Sequence, residues 1–298
     1  MTNNGLEMTT YEGLHTLAEG FATEKANFIV VIGKPGLMKS EVIKRACNGR
    51  PLLHVRGKMT PLELYRDLYK ERDALVVLDD VDPVWKSTDG QVLIRGLTET
   101  SPIKTIGWAT SRRLLDGDGN EIPKSYTTTS RVMVIANSLP KGGIFSAIES
   151  RGLKFVFKPS WAEVYMAAGE WFRDQEVLDF VHDNLTHMRH PDARLLNKAV
   201  EMRTLALPGH DWRDVFNPCM KFDRLDQEIA RLLNDTTLTT TEMAAEFVAG
   251  GFGDRATFFR RAKKQRAAQA EPIPTRIVVG KSPETQSREL LCLVAKTI

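Results

Sequence analysis

With 298 residues the chain is long enough for a large core and more than one domain, and its apolar and charged content is that of an ordinary globular protein. A formal net charge of +3 is too weak by itself to imply nucleic acid, so the distribution of charge matters more than its sum. The three cysteines (Cys47, Cys219, Cys292) have no disulfide or zinc spacing, and no long apolar run marks a leader or a membrane span, so a reducing, cytoplasmic setting with no membrane partner is expected.

Leu14, Leu17, Ala18 and Phe21 predict a helix before Phe28. Phe28-Ile-Val-Val-Ile32 then reads as a strand that breaks at Gly33. The turn Gly33-Lys34-Pro35-Gly36-Leu37-Met38-Lys39-Ser40 leads into a helix that begins around Ser40-Glu41. Strand, glycine turn and helix opening on Lys-Ser is the layout of a phosphate-binding loop. Helix N-terminal N–H groups and the lysine favour an anion there, and the Ser40 hydroxyl is placed to ligate magnesium. Glu41 completes the run of candidate nucleotide contacts. Met38 departs from the pattern, which has glycine at that position. A plain turn with this spelling is the competing reading.

Pro51–Arg56 predicts a second strand, and Thr60-Pro-Leu-Glu63 opens a helix that runs to about Arg72. Ala74-Leu-Val-Val-Leu78 is apolar without alternation, as suits a central parallel strand, and it ends on Asp79-Asp80. Beside a phosphate loop, Asp79 suits the magnesium shell and Asp80 the positioning of an attacking water; both could instead cap the turn Val81-Asp82-Pro83. A helix over Gln91–Thr98 and a strand over Lys104–Thr110 follow, then a hairpin tip around Asp116–Asn120. Asp116, Asp118 and Asn120 imitate the start of a calcium loop, but Glu121 and Thr127 break it, so a solvated turn is expected. Arg131–Ala136 is a further strand, ending on Asn137; a short helix from Phe145 closes on Arg151, and Leu153–Phe157 is the last strand of this region. Beyond Pro159 only helices are predicted, over Trp161–Trp171, Gln175–Met188 and Asp192–Thr204.

Gly33…Lys39-Ser40, Leu78-Asp79-Asp80, Ile135-Ala-Asn137 and Ser150-Arg151-Gly152, followed by helices, resemble an AAA+ ATPase over about residues 24–205. The resemblance implies an α/β fold, a P-loop NTPase three-layer αβα core with a parallel sheet. The core would span 1–158, a helical lid 159–218, and a small helical region with a tail 219–298. It implies ATP and Mg2+ as cofactors and a homo-oligomer. Lys39-Ser40 resemble Walker A, Asp79-Asp80 Walker B and Asn137 sensor 1, while Arg151 sits where an arginine finger is offered to a neighbour and Arg194 resembles sensor 2. Each arginine also has a plain reading, Arg151 as a helix-end cap and Arg194 on an exposed face. The hairpin between Trp108 and Arg131 looks like an insertion that some DNA-acting members use on nucleic acid. His182, His187 and His190 read as helix-end residues rather than metal ligands.

A connector over Pro208–Pro218 precedes a helix from Asp223 to Leu233, and Thr239…Glu242 is a capping box. The helix it opens stops at Gly250-Gly-Phe-Gly253, and Asp254 caps another that is densely basic. The pair resembles a helix-turn-helix DNA-binding unit. In that arrangement Phe252, Phe258 and Ala262 pack inward, Arg255, Thr257 and Arg261 face a major groove, and Arg260, Lys263 and Lys264 meet phosphates. A merely solvated basic face and a protein-docking face are the alternatives. Thr275–Val279 and Arg288–Val294 suggest a strand and a helix. The expectation is an ATP-binding, ATP-hydrolysing protein acting on DNA. Its rivals are a non-hydrolysing nucleotide-gated DNA-binding regulator and a small-molecule P-loop kinase. Replication, transposition, phage or plasmid maintenance and transcription control all fit.

Overall fold

The computed structural model describes residues 5–138, 150–220, 224–235, 237–269 and 273–279. Of the helix expected from Phe145 to Arg151, the part before Ser150 lies outside those residues, as does the tail helix expected from Arg288. The chain divides into two compact units, Met1–Pro159 and Ser160–Ile298.

The first unit is built on a parallel sheet. Its strands are β1 (Leu6–Met8), β2 (Phe28–Ile32), β3 (Leu52–Arg56), β4 (Leu75–Asp79), β9 (Val132–Ala136) and β10 (Leu153–Phe157), in the order β1-β10-β2-β9-β4-β3. Strands β4 and β9 are buried at every residue, which explains their unbroken apolar runs. Alternate side chains serve opposite faces. Val30, Val76, Leu78, Val132 and Val134 pack with Leu64, Tyr65 and Leu68 of α3 (Pro61–Lys70) and Leu93, Ile94 and Leu97 of α5 (Thr88–Leu97). The other layer holds α1 (Tyr11–Ala22) and α2 (Lys39–Ala46), which pack on each other and bury Leu14, Phe21 and Ile43. The three-layer α/β core expected from the sequence is therefore present.

Three details differ from expectation. Leu6–Met8 forms an edge strand beside β10, a pairing too short to signal itself locally. A short helix, α4 (Asp82–Lys86), stands where only a turn is predicted. The strand predicted over Lys104–Thr110 stays out of the main sheet: β5 (Lys104–Gly107) pairs antiparallel with β8 (Ser125–Thr128), and β6 (Leu114–Leu115) with β7 (Glu121–Ile122) extends the same excursion. At its tip the Asp116 carboxylate accepts the backbone N–H groups of Asp118 and Asn120 at 3.0 and 2.8 Å. It closes its own turn.

In the second unit, α6 (Trp161–Ala168) stops at Gly169, short of the predicted Trp171, and α7 (Gln175–Asn184) yields to a 3-10 turn at Leu185–His187. α8 (Arg194–Leu205) follows. The predicted connector is largely a 3-10 helix, Trp212–Cys219, whose Trp212 and Phe216 rings lie 5.4 Å from Phe180. The last helices, α9 (Arg224–Asn234), α10 (Thr240–Ala249) and α11 (Arg255–Gln269), share a small core of Ile229, Leu232, Met243, Phe247, Phe258 and Ala262.

Residues 273–279 form no strand. They run extended along α6 and α7, their backbone groups taken by side chains. Ile277 N–H donates to the Tyr165 hydroxyl at 2.6 Å, and Gln175 bonds both the Ile277 carbonyl (2.8 Å) and the Val279 N–H (2.7 Å). Arg276 pairs with Asp179 at 2.8 Å and with Asp183. The Ile277 side chain fills the notch left by Gly169, where an added Cβ would come within 2.6 Å of it.

Candidate functional site

Because every pair in the six-stranded sheet is parallel, the carboxyl ends of β2, β9, β4 and β3 lie along one edge. Ile32 stands opposite Ala136, Ile135 opposite Asp79, and Asp79 opposite Arg56. The residues just beyond these ends are the glycine turn, Asn137 and Asp80. Four segments far apart in sequence thus meet at the sheet edge where ligands of open α/β folds bind.

The turn is held tightly at its start. Gly33 N–H donates to the Ala136 carbonyl at 3.1 Å, and a Cβ on Gly33 would stand 2.8 Å from the Phe157 carbonyl. Gly36 takes φ 79°, which suits a residue without a side chain. Met38 also lies in the left-handed region, at φ 54°, as the N-cap of α2. That conformation costs a non-glycine residue about 1–2 kcal/mol, which accounts for glycine in the pattern at this position. Lys39, only 6% exposed, turns its ammonium onto the carbonyls of Gly33 and Lys34 at 2.7 and 2.8 Å. A buried cation so placed gives the loop a full positive charge beside the α2 N-terminus.

Asp79 is 3% exposed and stands beside His54 and Arg56. Its carboxylate meets His54 Nε2 at 3.3 Å and Arg56 Nε at 3.4 Å, and the Ser40 hydroxyl is near enough to favour its ionised form. Burial alone would push its pKa up; the hydrogen bonds from His54 and Ser40 and the nearby Arg56 charge outweigh burial and hold it below the usual carboxylate range. Ser40 and Asp79 are the pair able to hold a divalent cation. Among the described residues no group of three or more His, Cys, Asp or Glu has metal-binding geometry, the three histidines near α7 included. Asp80 is exposed at φ 52°, and Asn137 Nδ2 donates to its two carboxylate oxygens at 3.3 and 3.2 Å.

Arg151 lies elsewhere. It precedes β10, so it belongs to the opposite edge of the sheet, where its guanidinium donates to the Arg95 carbonyl at 2.7 Å. It caps a helix-end carbonyl, though of α5. Arg194 opens α8 in the second unit, exposed, with its N–H on Asp192 Oδ1 at 3.0 Å.

Three residues at the site went unnoticed in the sequence. His54 and Arg56 are two apart on β3 and so share a face, a signal available from alternation. Tyr11 donates its hydroxyl to the Leu37 carbonyl at 3.0 Å across 26 positions, and no local pattern announces that.

In the second unit the capping box Thr239–Glu242 is formed, and Asp254 accepts Thr257 N–H at 2.7 Å at the head of α11. Gly251 and Gly253, at φ 73° and 141°, make the turn between α10 and α11. Phe258 and Ala262 are buried and Phe252 packs against the same core. Arg255, Arg260, Lys263 and Arg266 are exposed, and Thr257 and Arg261 half-buried; the Lys264 side chain lies outside the described residues.

No family model matches the chain, and no curated relative does. Among solved structures, NtrX from Brucella abortus in complex with ATP is similar at TM-score 0.48 and 15% identity, covering 88% of this chain and 70% of that one. The same protein in complex with ADP gives 0.47 and 15%, covering 86% and 68%. Drosophila ORC bound to DNA gives 0.37 and 14%, covering 96% and 78%. No helix among the described residues is long and apolar enough to cross a membrane.

Proposed function

We propose that this chain is an AAA+-type ATPase that acts on DNA, with a core over 1–158, a helical lid over 159–218 and a DNA-contacting region within 219–298. The observation that carries the reading is the buried Lys39, its ammonium on the glycine-turn carbonyls, at the same sheet edge as the buried Asp79 that ends β4 and the Asn137 that follows β9.

Ser40 and Asp79 would hold magnesium, which when bound would supply charge neutralisation to the phosphates. The residues do the rest by positioning. Loop N–H groups from Gly33 to Ser40 cradle phosphate oxygens, and Lys39 exchanges its carbonyl partners for them. Asp80 and Asn137, already hydrogen-bonded, form the pair that orients a water against the last phosphate. Arg151, on the far edge of its own sheet, completes the site of a neighbouring copy, which makes assembly part of the reaction. The exposed cations of α11 supply the DNA contact.

The direct test is binding of labelled ATP with magnesium. Wild type binds and Lys39→Ala does not; equal binding by both places the site elsewhere. A second reading, nucleotide-gated DNA binding without turnover, is favoured by Asp80, which is one methylene shorter than glutamate and engaged by Asn137. Steady phosphate release, with or without DNA, rules it out.

A further inference from the structure

Tyr11 opens α1 and reaches the glycine turn from outside it. The carbonyl it holds, at 3.0 Å, belongs to the peptide that joins Leu37 to Met38. Met38 is the residue at φ 54°, a conformation its side chain disfavours. Left unbraced, such a loop would populate other orientations of that peptide.

The tyrosine is itself fixed. Its ring stands edge-on to Phe157, with centroids 5.1 Å apart and planes at 81°. Phe157 is fully buried, and its carbonyl faces Gly33 so closely that a Cβ there would be 2.8 Å away. One residue at the end of β10 therefore abuts both the start of the turn and the side chain that braces its end.

We propose that Tyr11 is a positioning residue for the phosphate loop: its hydroxyl fixes the Leu37–Met38 peptide in the orientation that lets methionine stand where the pattern has glycine. This rests on the reading of the loop as a nucleotide site. Apparent affinity scales with the fraction of molecules whose loop is competent. With Met38 the brace supplies much of that fraction. With glycine at 38 the left-handed conformation is reached without help, and the brace has less left to do.

The experiment is a cycle on the full chain: wild type, Tyr11→Phe, Met38→Gly and the double variant. Affinity is read with a fluorescent ADP analogue and magnesium, and thermal melting is recorded alongside. Phenylalanine keeps the ring against Phe157. Tyr11→Phe weakens binding about three- to tenfold, the weight of one hydrogen bond, whereas in the Met38→Gly background the same change costs less than about twofold. Equal losses in both backgrounds, or no loss in either, overturn the proposal. A merely structural tyrosine would lower the melting temperature with no rescue of affinity by glycine. If the nucleotide reading itself is wrong, folded wild type binds none of the probe and Lys39→Ala changes nothing, and the proposal falls with it.

Discussion

The molecule carries cations in two different ways. In the first unit Lys39 is buried and bonded to two carbonyls of its own loop, and Asp79 beside it is buried among His54, Arg56 and Ser40. In the second unit α11 has six basic residues and no acid, and the cations at 255, 260, 263 and 266 are exposed. Burial makes a charge depend on particular partners, so its position is specified and its removal is local and severe. Exposure leaves a charge screened and replaceable, so its effect is collective and depends on salt.

Experiments can break or sharpen that contrast. The largest effect expected is from Lys39→Ala, which lowers nucleotide affinity by at least about 100-fold because a charge-assisted contact in a desolvated site is lost. Next comes removal of Arg255, Arg260, Lys263 and Arg266 together. DNA affinity at low salt falls by about tenfold to 100-fold, and the slope of log affinity against log salt shrinks by about 3–4. An unchanged slope would show that this face does not meet phosphates.

Gly33→Ala tests the packing rather than the charge. Its Cβ would meet the Phe157 carbonyl at 2.8 Å and the Lys39 stem at 3.3 Å, so unfolding free energy drops by about 1–3 kcal/mol in urea titration. The smallest effect concerns pH. The Asp79 pKa is depressed in the folded chain, so as pH falls the unfolded chain takes up the proton first. Its stabilising contribution is complete above about pH 4 and lost as pH falls through the lower folded value. Asp79→Asn therefore flattens the acid limb of the stability curve below about pH 4. An acid limb as steep as that of wild type would mean that Asp79 is not held by its neighbours.

Much of this was legible because burial writes plainly. Strands β2, β4 and β9 lie at the centre of the sheet, and residues that end such strands share an edge whenever the sheet is parallel. Turn and cap chemistry was equally open at Asp116, Thr239 and Asp254, where side chain and backbone sit within a few positions of each other. What stayed hidden depends on long-range partners. Tyr11 finds Leu37, and Leu6–Met8 finds β10, through folding alone. Thr275–Val279 has the β-branched spelling of a strand, yet Tyr165 and Gln175 claim its backbone first.

That last arrangement also limits how far the basic helix can travel. α11 ends at Gln269, and the chain is fastened again at Pro274, whose carbonyl meets His182 Nε2 at 3.1 Å, five peptide steps later, a leash of at most about 18 Å. α11 thus has a covalent route to α6 and α7 through a few links of backbone, which cutting the chain ahead of Pro274 would remove.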